Sequence, residues 1–168
     1  MPVPSKIIKY LDLSRVKYER IEHKTVYTAY DKVATLKVKP NVIGKTLVLK
    51  IDNELAMVLI PGNKNLDKNK FKKVANDWRK KIEQKSVKNI DFISEKVMKN
   101  KFKGVKVGAV PPFGNLWKLP TFVDKSLMEQ TKIVVNGGDY EWSIKISPSI
   151  FKKIIPDLII GNFSQAKK

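Results

Sequence analysis

The fold is decided at residues 44–62, Gly44-Lys45-Thr46-Leu47-Val48-Leu49-Lys50-Ile51-Asp52-Asn53-Glu54-Leu55-Ala56-Met57-Val58-Leu59-Ile60-Pro61-Gly62. Two nearly unbroken apolar runs, residues 46–51 and 55–60, flank the polar break Asp52-Asn53-Glu54. Continuous rather than alternating hydrophobicity marks strands covered on both faces, and a short break rich in turn-forming residues suits a hairpin between them. Pro61-Gly62 ends the second run. Lys45 is the unexpected residue at the mouth of the first. A lysine entering a buried strand either snorkels from an edge, or it holds an ammonium in a cleft that can clamp a phosphate or developing negative charge.

Working outward, residues 5–11 read as a short helix with Ile7, Ile8 and Leu11 on one side, followed by a strand over 16–20. Thr28 with Asp31 resembles a capping box for a helix reaching Leu36. Downstream of Pro61-Gly62, Asp67 is a candidate N-cap for a helix that places Phe71, Val74, Ala75, Trp78 and Ile82 on one face. Phe71 and Trp78 read there as core anchors. A further helix is expected from about Asp91 to Lys101, then strands over 105–110, 121–124, 133–136 and 142–146. The last helix carries the best signals: Ser147 as N-cap, Pro148 at the first helical position, Ile150, Phe151, Ile154 and Ile155 as its apolar side, and Pro156 as its stop. Helices and strands alternate irregularly, which favours an α+β (mixed α/β) domain, a mixed sheet flanked by helices, over a doubly wound parallel fold. With no internal repeat and no long linker, one domain is expected over residues 1–168.

The composition narrows the chemistry. The 168 residues include no Cys and a single His, which excludes disulfides, thiolate metal sites, a Cys nucleophile and a multi-His metal centre. Asp and Glu are scattered without a metal-binding or glycosidase-like pairing, so no metal and no cofactor are expected. A net charge of +18 calls for a polyanionic partner, nucleic acid before membrane. Residues 61–106 concentrate that charge, with 15 basic against 5 acidic side chains. No apolar run approaches membrane-spanning length, no strongly amphipathic basic helix suggests membrane docking, and the opening residues lack a signal-peptide core, so a cytoplasmic protein without a membrane partner is expected.

Known phosphate-binding signatures are absent. Gly44-Lys45-Thr46 resembles the end of a phosphate loop, but position 39 is Lys where the upstream glycine belongs, and strand residues follow where a helix should start. Two glycine-rich turns remain: Val107-Gly108-Ala109-Val110-Pro111-Pro112-Phe113-Gly114 and Val135-Asn136-Gly137-Gly138. Glycine allows close approach of a ligand to the backbone, and exposed N–H groups of two such turns could cradle an oxyanion. His23 reads as a structural hydrogen-bonder, because a general-base role needs a partner the sequence does not reveal.

The ordered set YERIEHKTVYTA (18–29), GKTLVLK (44–50), VLIPGNKNLDKNKFKKV (58–74), GAVPPFG (108–114), FVDKSL (122–127) and VVNGGDYEWSIKISPS (134–149) resembles the YbaK/prolyl-tRNA-synthetase-associated domains, aminoacyl-tRNA deacylases that edit in trans. The resemblance implies a mixed, partly closed, barrel-like sheet wrapped by helices. It also implies hydrolysis of the ester linking a wrong, small amino acid to tRNA, of the Ala- or Cys-tRNA(Pro) kind. The family's essential lysine falls on Lys45, with Thr46 beside it. Its GxxxP loop falls on Gly108, Ala109 and Pro112, its second glycine turn on Asn136, Gly137 and Gly138, and its entry segment on Tyr27 and Thr28. The implied partners are the aminoacylated 3′ end and acceptor stem of tRNA, the latter against residues 64–106, with an aminoacyl-tRNA synthetase as a second partner.

The chain departs from the family pattern in three places. A frequent histidine after the second glycine turn aligns with Trp142, the HPP segment is His23-Lys24-Thr25, and Asn136 stands where Ser or Ala is common. Trp142 and Asn136 either reshape the pocket or, for Trp142, face the core. The expected mechanism is substrate-assisted: Lys45 holds the phosphate or ribose of the terminal adenosine, amides near Gly108 and Gly137–Gly138 meet the oxyanion, and the substrate's 2′-hydroxyl activates water. The alternative is a catalytically inactive module of the same fold that binds tRNA or a synthetase.

Overall fold

A computed structural model describes residues 5–167. In chain order its elements are α1 (Ser5–Leu13), β1 (Glu19–Glu22), α2 (Ala29–Leu36), β2 (Gly44–Ile51), β3 (Glu54–Pro61), β4 (Lys64–Leu66), α3 (Lys68–Lys81), β5 (Ile90–Phe92), α4 (Glu95–Lys101), β6 (Thr121–Asp124), α5 (Lys125–Met128), β7 (Ile133–Asp139), β8 (Trp142–Ile146), α6 (Pro148–Ile154), β9 (Ile159–Gly161) and β10 (Ser164–Ala166). Single 3-10 turns at Pro40–Val42 and Gly114–Trp117 complete them.

The β2–β3 hairpin forms as read, with Gly44 opposite Pro61 and Ile51 opposite Glu54. Asp52 turns the chain at φ 56°, and its Oδ1 accepts the N–H of Asn89 at 2.9 Å, tying the turn to the approach of β5. The hairpin sits inside a five-stranded mixed sheet of order β5-β2-β3-β6-β9, in which β6 runs parallel to β3 and β9 parallel to β6. A second, antiparallel sheet has the order β1-β8-β7, and β10 pairs with β4 in a third. None of the three closes on itself. A single parallel bridge from Ile43 to Val134 joins β7 to the start of β2, so the mixed α+β expectation holds without a closed barrel.

The continuous apolar reading of β3 has a direct physical basis. Leu59 packs into a core with Ile7 and Leu11 of α1, Ile144 and Ile146 of β8 and Phe151 of α6. Its neighbours Val58 and Ile60 face the other way, against Phe71 and Ala75 of α3, Phe122 and Phe163. Phe71 meets Phe122 edge-on at 4.9 Å, and Trp78 meets it at 5.4 Å, so both α3 aromatics are core anchors. The helix caps at Thr28, Asp67 and Ser147 form as read, each oxygen accepting an N–H of the first turn.

Three elements read from the sequence fall differently in the structure, Ile82 lies exposed just beyond α3 instead of on its apolar face, and β4, α5, β9 and β10 have no counterpart in the sequence reading. Strand β1 lies at Glu19–Glu22 rather than 16–20, where it pairs with β8. Residues 90–92 are a strand on the edge of β2, not the start of a helix; the cap of α4 is Ser94, whose Oγ accepts Val97 N–H. Residues 105–110 are a loop rather than a strand, because Gly104 and Gly108 adopt φ of 89° and 85°, outside any strand conformation.

Candidate active site

A cavity of about 260 Å³ opens where α2, the start of β2, the 108–110 loop and the end of β7 converge. Of the residues singled out in the sequence, Tyr27, Thr28, Lys45, Thr46, Gly108, Ala109 and Asn136 line it. Pro112, Gly137 and Gly138 do not; they are buried behind the wall and shape the loops that form it.

Lys45 stands half-buried in the wall. Its Nζ donates to the carbonyl of Lys64 at 2.9 Å, which fixes the ammonium at the cavity's edge. Burial, reinforced by the charge of Lys167, lowers its pKa. Next to it, Thr46 Oγ1 is buried without a hydrogen-bond partner. An orphaned buried hydroxyl costs roughly 1–3 kcal/mol, a cost that a bound polar ligand or water removes. Thr28, at the opposite wall, uses its Oγ1 to cap α2 from Asp31 N–H at 3.1 Å, and its own O–H remains free to donate.

Two charged residues of the lining, Lys32 and Asp139, were not singled out in the sequence. Lys32 projects from α2 and is only 5% exposed, and burial alone lowers its pKa to about 8. Its Nζ donates to Asn136 Oδ1 at 2.8 Å, while Asn136 Nδ2 donates to the carbonyls of Val110 at 3.2 Å and Gly108 at 3.4 Å. Asn136 is therefore a strut joining α2 to the glycine loop. Asp139, buried at the end of β7, accepts Glu141 N–H at Oδ1, and its Oδ2 takes part in no such bond. Helical periodicity on α2 would have flagged Lys32 as a polar residue on the inward face; nothing local marks Asp139.

The backbone amides are mostly committed. Gly138 N–H donates to Ala109 O at 2.8 Å, and Ala109 N–H donates to Lys106 O at 3.0 Å, so neither can receive an oxyanion as expected. Gly108 N–H enters no backbone bond of this loop and remains available. A side chain on Gly108 would find space, its Cβ meeting Tyr27 O at 3.6 Å, so conformation rather than crowding demands glycine there. Tyr27, 64% exposed, forms the rim and stacks edge-on against Tyr140 at 4.7 Å.

His23 lies outside the cavity, with Nε2 against Ser143 Oγ and Nδ1 against Lys24 O, both at 2.8 Å. Trp142 packs against the core around α1 and β8 and does not narrow the cavity. Among the described residues no cluster of three potential metal ligands exists, and no helix is long and apolar enough to cross a membrane.

Solved structures with this fold include hypothetical protein APE2540, at 21% identity and TM-score 0.81, covering 96% of this chain and 100% of that one. A provisionally assigned trans-editing enzyme for prolyl-tRNA synthetase matches at 16% identity and TM-score 0.75, covering 99% of both chains. A scaffold protein designed to present grafted linear epitopes matches at 15% identity and TM-score 0.77, again over 99% of both. At these identities the likeness establishes the fold. The family model of the aminoacyl-tRNA editing domain matches residues 23–154, and this chain belongs to that family.

Proposed function

We propose that this protein is a trans-editing deacylase that hydrolyses the ester of a tRNA mischarged with a small amino acid. The observation that carries the reading is the pairing of the Lys45 ammonium with the unpartnered Thr46 hydroxyl on the wall of one small cavity, in a chain of the editing-domain family. About 260 Å³ lies just below the usual range of ligand pockets, about 300–1,000 Å³, and suits a small aminoacyl group on its ribose. Ala- and Cys-tRNA(Pro) are the expected kind, because a synthetase pocket discriminates small apolar residues by only about 1–3 kcal/mol and needs a second sieve.

An aminoacyl ester is already labile, so orientation supplies much of the acceleration. Lys45 holds the phosphate or ribose of the terminal adenosine. Thr46 Oγ1 hydrogen-bonds to the ribose ester, and Gly108 N–H is the donor available to the carbonyl oxygen as it gains negative charge. Asp139 Oδ2 receives the α-ammonium of the amino acid, an interaction that a free amine makes and an acylated one loses. The neighbouring 2′-hydroxyl takes a proton from the attacking water as it passes its own to the leaving ribose oxygen. Water oxygen then bonds to the carbonyl carbon, the bond to the ribose oxygen breaks, and that oxygen leaves with the proton. No protein nucleophile, metal or cofactor enters. Exposed Lys70, Lys73, Lys80 and Lys81 of α3 form the basic face offered to the acceptor stem, and an aminoacyl-tRNA synthetase is the protein partner this reading allows.

The test is a panel of tRNAs charged with Ala, Cys, Ser, Thr and Pro. Selective release of one small amino acid supports the reading. Salt-sensitive tRNA binding without release from any member would replace it with the binding-module alternative, in which the committed amides of Ala109 and Gly138 leave the oxyanion unsupported.

A further inference from the structure

A second depression, of about 500 Å³, lies on the far side of Lys45 and shares Lys45 and Leu47 with the ester cavity. Its floor and rim carry Phe92, Lys68, Asn65, Asn69 and Gln165. Phe92 is anomalous there. It lies on the edge strand β5, opposite Leu49 of β2, yet it is 56% exposed, while the other Phe rings of the described residues are buried. Lys68 Nζ lies over one face of the Phe92 ring, 5.2 Å from its centroid, so one region presents a largely exposed aromatic side chain, a cation against it and three side-chain amides. Gln165 Nε2 donates to Leu66 O at 3.3 Å, which holds that amide at the rim while its oxygen stays free. Asp67, also on the lining, uses Oδ1 to cap α3.

We propose that this groove binds the single-stranded nucleotides immediately 5′ of the terminal adenosine, with a nucleobase stacked on Phe92 and the linking phosphate held between Lys45 and Lys68. The inference rests on the deacylase reading for its choice of RNA end. Each element has a chemical reason. Unpaired bases are bound by aromatic stacking because every base offers a π-face. Side-chain amides and a carboxylate complement base edges, Asp67 included, since a carboxylate accepts from the amino group of cytosine. A lysine shared by two adjoining cavities sits where the chain must pass from the nucleoside in one to the nucleotide in the next. The positive surface of the chain, with its net charge of +18, complements a polyanion and argues against an apolar peptide as occupant.

The test uses the full chain, with 5′-fluorescein-labelled ACCA RNA and adenosine 5′-monophosphate as binding probes. Alanyl-CCA and 3′-alanyl-adenosine serve as hydrolysis substrates. Phe92→Ala should weaken ACCA about tenfold, as expected for one lost stacking partner, and leave adenosine monophosphate within twofold. Phe92→Tyr should restore ACCA binding, which a merely structural defect would not permit. In hydrolysis, Phe92→Ala should lower kcat/KM about tenfold on alanyl-CCA and leave alanyl-adenosine unchanged. Equal effects on long and short probes, or no effect on either, would overturn the groove. If the native chain hydrolyses neither substrate, the deacylase reading fails, and the two binding probes still decide the groove.

Discussion

Lys32→Met is the most informative single substitution, because it separates the cost of burying a charge from the use made of it. The ammonium is 5% exposed, and its pKa falls from 10.5 to about 8 through burial. Burial therefore disfavours the charged form by roughly 3 kcal/mol. Below pH 8 both folded and unfolded chains carry the proton, and the fold bears that full penalty. Between about pH 8 and 10.5 the unfolded chain binds the proton and the folded chain has released it, so the native contribution of Lys32 to stability rises with pH. Methionine keeps the stem and removes the charge, at the cost of the charge-assisted hydrogen bond to Asn136 Oδ1, worth about 2 kcal/mol. The variant should therefore be about 1 kcal/mol more stable than the native chain at pH 7, and the advantage should reverse near pH 10.5. Urea unfolding of both proteins at the two pH values reads the difference, in which all other titrations cancel. Equal destabilisation at both pH values would refute the reasoning. A variant that is more stable at pH 7 and less active would mark Lys32 as a residue kept for the site rather than for the fold.

Other substitutions probe the same cavity. Thr46→Val removes the unpartnered hydroxyl and should raise stability by about 1 kcal/mol while lowering kcat, read by urea melts and single-turnover deacylation. Asp139→Asn should erase the preference for a free over an N-acetylated aminoacyl ester, measured as the ratio of the two kcat/KM values; an unchanged ratio would remove Asp139 from substrate recognition. Gly108→Ala places a side chain at φ 85° and should cost about 1 kcal/mol or more in stability, measured by the same unfolding assay. Charge reversal of Lys73 and Lys80 on α3 should weaken tRNA binding and flatten its salt dependence without altering hydrolysis of alanyl-adenosine.

Much of the fold was legible because local and tertiary preferences agree. The apolar runs of β2 and β3 are continuous because residues such as Val58 and Leu59 serve cores on opposite faces. Thr28, Asp67 and Ser147 announce their helices through chemistry within four residues. What stayed hidden depends on partners distant in the chain. Ile90-Asp91-Phe92 becomes a strand only by borrowing the edge of β2, and the short strands β4 and β10 exist only as each other's partners. The site divides in the same way. Lys45 stood out as a cation in an apolar strand, whereas Lys32 lines the cavity with its ammonium bonded to the side chain of Asn136, 104 residues away. Of the expected oxyanion cradle Gly108 N–H remains available, whereas Gly138 N–H ties the second glycine turn to Ala109 O of the first and Ala109 N–H closes the first onto Lys106 O.

The central claim is that the Lys45 ammonium positions the ester for hydrolysis. Single-turnover deacylation by the native chain and by Lys45→Ala, with enzyme saturating over the tRNA whose amino acid is released, tests it most directly. The account predicts that Lys45→Ala remains folded and loses at least about a hundredfold in the rate constant, as removal of one positioning charge in a preorganised site does. Full turnover by Lys45→Ala at saturation would contradict it.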